Sequence, residues 1–207
     1  MTANKATGLW FPNVQFNAQS GLRLFCFPYA GGSNLIYRSW QSSLPAQVEV
    51  CPVQLPCRGN CLGERPFTDL PLLIEAIKPA TRLHLENPFA FLGHSMGAII
   101  TYELARLLRR TSGYQPIRLF ATRCVAPHCE REEAPSYNLP EPEFLEELRS
   151  MNGRPQEVLE HPELMQMIMP LLRADFELIE TYAYSPGELL DCPITALGGV
   201  QDPEVSR

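Results

Sequence analysis

The chain has no apolar run near the roughly 20 residues that a membrane-spanning helix needs, and no signal-like apolar stretch opens it. We therefore expect neither insertion in a membrane nor secretion, but a cytoplasmic protein. A basic stripe is missing too. Within a net charge of −6, Cys129 to Glu163 holds ten Glu and three Arg with no Asp or Lys, a local −7 that leaves about +1 elsewhere. Nucleic acid has nothing to grip, and the acidic stretch reads as solvated helix faces. The seven cysteines are odd in number and scattered, which fits no disulfide framework. Cys57 and Cys61 lack the second pair that a zinc site requires. Reduced thiols are expected, with Cys26, Cys51, Cys124 and Cys192 in or beside apolar runs as small core residues. No metal or cofactor is expected.

What is present suits one domain. At 207 residues, 45% of them apolar, the chain is ample for one core and short for two large domains. Strands are expected at Leu22–Phe27, Val48–Val53, Pro88–Gly93, Ile117–Thr122 and Cys192–Gly198, with Pro52 marking an edge or bulge. Helices fall between them at Ile36–Leu44, Asp69–Leu85 and Met96–Arg110, the last presenting Ile100, Leu104, Leu107 and Leu108 as an apolar stripe. Asp69 suits an N-cap, and Pro79 is expected to kink or divide its helix. Continuously apolar strands alternating with helices predict a largely parallel sheet covered on both faces. Trp10, Phe11, Val14 and Phe16 make the first 20 residues an arm that docks on the body.

The rhythm breaks after Ala126. Glu143–Arg149, Gln156–Leu159, Glu163–Met169 and Leu171–Tyr182 read as short amphipathic helices interrupted at Gly153, Pro155, Pro162 and Pro170. That is too much helix for one crossover, so it is read as a cap inserted over the C-terminal ends of the strands.

The organising stretch is Phe89-Ala-Phe-Leu-Gly-His-Ser-Met-Gly97, a strand running through Gly-x-Ser-x-Gly into a helix. A serine hydroxyl needs a base and a sharp turn that holds its oxygen clear of the backbone, and glycines two before and two after Ser95 permit that turn. Ser95 is therefore expected to be a nucleophile. Its oxyanion needs two donors: the backbone N–H of Met96 at the helix start, and one from Ala30-Gly31-Gly32 after the first strand. The orienting acid should follow in a loop beyond a later strand. Asp202, in Gly198-Gly-Val-Gln-Asp-Pro203, has that position, whereas Asp191 precedes its strand and belongs at the opposite end of the sheet. No histidine follows Asp202 in the sequence. His94 is too close along the backbone to reach Ser95, and His84 lies in the preceding helix. His128 or His161 is an alternative base, but the stronger expectation is that the residue completing the triad lies beyond position 207. A last strand and helix are then expected to be missing with it, which makes residues 1–207 an incomplete domain.

The chain resembles the type II thioesterases of nonribosomal peptide and polyketide synthases, α/β-hydrolases related to the medium-chain thioesterase of animal fatty acid synthase. The resemblance rests on Phe27-Pro-Tyr-Ala-Gly-Gly-Ser33, Gln54-Leu-Pro-Cys-Arg-Gly59, Phe91-Leu-Gly-His-Ser-Met-Gly-Ala98, Pro140 to Leu148, Pro170 to Tyr182, and Cys192 to Gly199 with Asp202-Pro203. It implies Ser95 as nucleophile, Asp202 as acid, Ala30 with Met96 as oxyanion donors, and residues 135–183 as a mobile lid. Asn60, where the family has a basic residue, and Pro79 depart from the pattern. The implied reaction is hydrolysis of acyl thioesters on the phosphopantetheine arm of an acyl or peptidyl carrier protein, by a monomer that needs no cofactor. Met151, Met165, Met167 and Met169 then either line an acyl channel or pack as core. Acidic carriers are expected to dock near the elbow rather than on the Glu-rich lid. An oxygen-ester esterase of the same fold and a non-catalytic binding protein are the competing readings.

Overall fold

A computed structural model describes residues 8–59, 64–129, 134–151 and 161–200. Its strands are β1 (Leu22–Phe27), β2 (Val48–Pro52), β3 (Phe89–His94), β4 (Arg118–Thr122) and β5 (Ile194–Leu197). They pair in parallel in the order β2-β1-β3-β4-β5, so Pro52 does end an edge strand. Successive side chains on a strand point to opposite faces, which splits the apolar residues into two layers. Phe25, Phe27, Phe89, Phe91 and Leu119 face one side, with Phe91 edge-on to both Phe25 and Phe27 at 5.9 Å. Leu24, Cys26, Val50, Ala90 and Leu92 face the other.

Two helices cover the aromatic face, α2 (Leu70–Arg82) and α3 (Met96–Ser112). On α3 the expected stripe of Ile100, Leu104, Leu107 and Leu108 is buried. Each such side chain contributes about 1.5–3 kcal/mol on leaving water. On α2, Asp69 caps the helix by accepting from the Leu72 N–H at 2.8 Å. The opposite face lies under a 3-10 turn, Asn34–Tyr37, and a one-turn helix α1 (Trp40–Ser43). The N-terminal arm docks as expected: Trp10 and Phe11 are buried in the main core, and Phe16 stacks on His84 with ring centroids 3.4 Å apart.

Between β4 and β5 the chain leaves the sheet for α4 (Glu141–Ser150) and α5 (Pro162–Glu180). These helices bury their own cluster of Phe144, Leu148, Met165, Met169, Leu172 and Phe176, so two of the four methionines are core of this insertion, while Met167 is exposed. The insertion closes at a neck. The Glu180 carboxylate accepts from the Ser136 N–H and hydroxyl and from the Tyr137 N–H at 2.7–2.9 Å, and Tyr182 donates to Glu103 on α3 at 2.7 Å. The expected piece Gln156–Leu159 lies outside the described residues.

The expected divisions at two prolines are corrected. α2 runs unbroken through Pro79, and α5 runs unbroken through Pro170. Both prolines sit on exposed faces, where water can bond the carbonyl that the missing N–H would have served.

Candidate active site

The strand order reverses direction at β1, so the crevice between the C-terminal ends of β1 and β3 is a topological switch point, where open α/β sheets bind their ligands. Ser95 stands there. Its backbone has φ 52° and ψ −116°, a conformation that L-residues rarely adopt, which is the strain of a tight strand-to-helix turn. Two hydrogen bonds hold it: the Ser95 N–H donates to Thr122 O, and the Ala98 N–H donates to Ser95 O, each at 2.8 Å. The flanking glycines are a steric requirement. A Cβ on Gly93 would fall on the Gly97 carbonyl, and a Cβ on Gly97 would fall on the carbonyl of Phe27 at the end of β1. α3 therefore starts against β1, and Met96, its first residue, carries an N–H with no acceptor one turn earlier in the helix.

The loop after β1 faces this helix start. Gly31 has φ 69°; its N–H donates to Asp175 Oδ2 on α5 at 2.5 Å, and the Gly32 N–H donates to Tyr29 O at 2.8 Å. Both glycine amides are thus committed within the protein. Ala30 packs between the main core and the insertion's cluster. Tyr37 anchors the end of β1 by donating to Phe27 O at 2.8 Å, and burial raises its pKa, keeping the phenol a donor.

Sequence reasoning missed Arg58 and Asp175. Both are about 95% buried and form an ion pair between the loop after β2 and α5. Arg58 also donates from Nε to Gly32 O at 2.7 Å and from Nη1 to Pro56 O at 2.8 Å. The signal that could have found them is an aspartate amid Leu171, Leu172, Ala174, Phe176 and Leu178, a charge on an otherwise apolar stripe. Arg58, Phe67, Met96, Asp175 and Leu178 line one shallow cleft.

Asp202 lies outside the described residues. Asp191 pairs with Arg109, in the last turn of α3, at 2.9 Å, which sets it at the far end of the sheet as expected. His84 is also at that end, its carbonyl accepting from Arg23 at the start of β1. His94 Nδ1 lies 2.6 Å from Thr122 Oγ1, with its ring edge-on to Tyr29. His128 lies 6.3 Å, centroid to centroid, from the Tyr184 ring, and His161 precedes α5 on the surface. Among the described residues no cluster of His, Cys, Asp and Glu could hold a metal ion. Cys26 and Cys51 are buried thiols, as expected, whereas Cys124 and Cys192 are only partly buried.

The Thioesterase domain family model matches residues 22–207. The chain belongs to the thioesterase family. It is a type II thioesterase of the α/β-hydrolase superfamily, a serine hydrolase acting on thioesters. The type II thioesterase BorB from the borrelidin biosynthetic cluster superposes with a TM-score of 0.85 and 34% identity, over 96% of this chain and 80% of that one. GrsT, a gramicidin S biosynthesis protein of Aneurinibacillus migulanus, is 42% identical over 98% of this thioesterase and 79% of its own length. LgrE of Brevibacillus parabrevis, named a linear gramicidin dehydrogenase, is 46% identical over 95% of this chain and 76% of its own. This thioesterase carries no G-x-G-x-x-G fingerprint for a dinucleotide.

Proposed function

We propose that Ser95 is the nucleophile of this thioesterase, with the backbone N–H groups of Ala30 and Met96 as its oxyanion donors and Asp202 as the acid that orients the base. The substrate is an acyl or peptidyl thioester on the phosphopantetheine arm of a carrier protein. Ser95 Oγ attacks the carbonyl carbon as a histidine takes its proton; by the family resemblance that histidine follows Asp202. The tetrahedral oxyanion is held by the two amides, the C–S bond breaks, and the arm's thiolate leaves with the histidine's proton. Water, deprotonated by the same base, then cleaves the acyl-serine and releases the carboxylic acid.

The observation that carries this reading is the backbone of Ser95, strained and wedged between two glycines that tolerate no Cβ. A reactive oxygen needs that presentation, and a structural serine does not. The Gly31 and Gly32 amides are bound to Asp175 and Tyr29, and the choice of Ala30 follows the family resemblance. Residues 135–183 act as the lid, and the carrier docks at the neutral surface around the cleft. Ser95→Ala is expected to abolish release of acid from an acyl-carrier while leaving the fold intact. Intact-protein mass spectrometry should trap the acyl group on Ser95 of the unsubstituted enzyme. Equal turnover by the Ala variant would refute the assignment.

A further inference from the structure

We infer that Arg58 and Asp175 are positioning residues that hold the oxyanion loop in register and make that register depend on the seating of α5. This rests on the proposed role of the Ala30 amide.

The observation is a three-way junction. One oxygen of Asp175, on α5, accepts from both the Gly31 N–H and Arg58 Nη2. The same guanidinium reaches Gly32 O through Nε and Pro56 O through Nη1, so its planar fork spans the loops after β1 and β2. The peptide group that follows Ala30 is thus pinned at its N–H by α5, and the next carbonyl but one is pinned by Arg58. Such pinning is needed because Gly31, at φ 69°, and Gly32 give this loop little stiffness of its own. A misplaced amide loses most of an oxyanion hole's effect, since the donors must already point at the site where charge develops.

Stability gives no sufficient reason for this pair. Desolvating both charges is costly, and apolar residues of similar volume often serve as well in a core. A carboxylate that belongs to the insertion yet bonds the oxyanion loop has a different consequence. When α5 lifts from the sheet, Gly31 loses its acceptor and Arg58 its counter-ion, and the loop is released. The hole is complete only while the insertion is seated.

The test uses the gene's full-length product and an acyl-carrier substrate. Activity of the unsubstituted protein and its loss in Ser95→Ala come first; failure there overturns the functional reading and leaves the Arg58–Asp175 junction to be judged by exchange alone. The double variant Arg58→Met/Asp175→Leu removes both charges together and leaves no ion unpaired. We expect kcat to fall about 10–100-fold with KM within about twofold. Amide exchange in peptides covering residues 29–33 should rise by more than about tenfold while α3 keeps its protection. Arg58→Lys keeps the charge but loses the fork, and the same pattern is expected; it decides the matter if the double variant does not fold. Unchanged kcat and unchanged exchange at 29–33, or loosening shared equally by α3, would overturn the proposal.

Discussion

Ser95→Gly should make the protein more stable than Ser95→Ala, although both are inactive. Ser95 occupies φ 52° and ψ −116°, held by its bonds to Thr122 and Ala98 and by the contact of Gly97 with Phe27. Alanine removes the hydroxyl but keeps the Cβ, so the backbone strain remains. Glycine removes it. A residue held in such a region stores about 1–3 kcal/mol. Against this stands the larger chain entropy of unfolded glycine, about 0.5–1 kcal/mol. The glycine variant should therefore gain about 0.5–2 kcal/mol over alanine. For a chain of this size that is a rise of about 1–8 °C in Tm. Urea denaturation of the two variants side by side, with matching m-values, measures the difference. A glycine variant equal to or less stable than the alanine one would mean that the turn is not strained, and the argument for a presented nucleophile would lose its physical basis.

Two further outcomes follow from named contacts. Gly97→Ala puts a methyl group on the Phe27 carbonyl, which should cost about 1–3 kcal/mol as overpacking. The same shift displaces Ser95, so acid release should fall more steeply than stability, as turnover measured below the Tm of the variant will show. His84 supplies a pH dependence. Burial, and secondarily the charge of Arg23, pushes its pKa from 6.5 down to about 4. Its Nε2 is buried with no hydrogen-bond partner among the described residues. Between these two values the unfolded chain holds a proton that the folded one does not, so stability falls as pH drops through that window. His84→Phe keeps the stack on Phe16 and should flatten this part of the stability profile; an unaltered slope between pH 6.5 and 4 would count against it.

The strands, the elbow and the stripe on α3 were legible because each is a local pattern. Apolar runs bounded by turns, a glycine frame around Ser95 and a helical repeat of Ile100, Leu104 and Leu108 each lie within a few turns of chain. Pro79 and Pro170 misled because the penalty for proline depends on whether its helix face meets water, which is a tertiary fact. The junction at the loop after β1 was equally closed to the sequence. It depends on an acceptor from α5 at position 175, and the Arg58 that completes it is 117 residues away.

The Glu180 neck has a consequence for how this enzyme type diversifies. Ser136 and Glu180 meet at one point, so the insertion is gathered at its base, with Asp175 and Leu178 as further ties to the body. Lengthening, shortening or exchanging the stretch before Asp175 leaves strand order and elbow untouched, provided that Ser136, Asp175 and Glu180 are kept. Substrate range can then be rewritten one cassette at a time, by nature or by a protein engineer, without renegotiating the scaffold that does the chemistry.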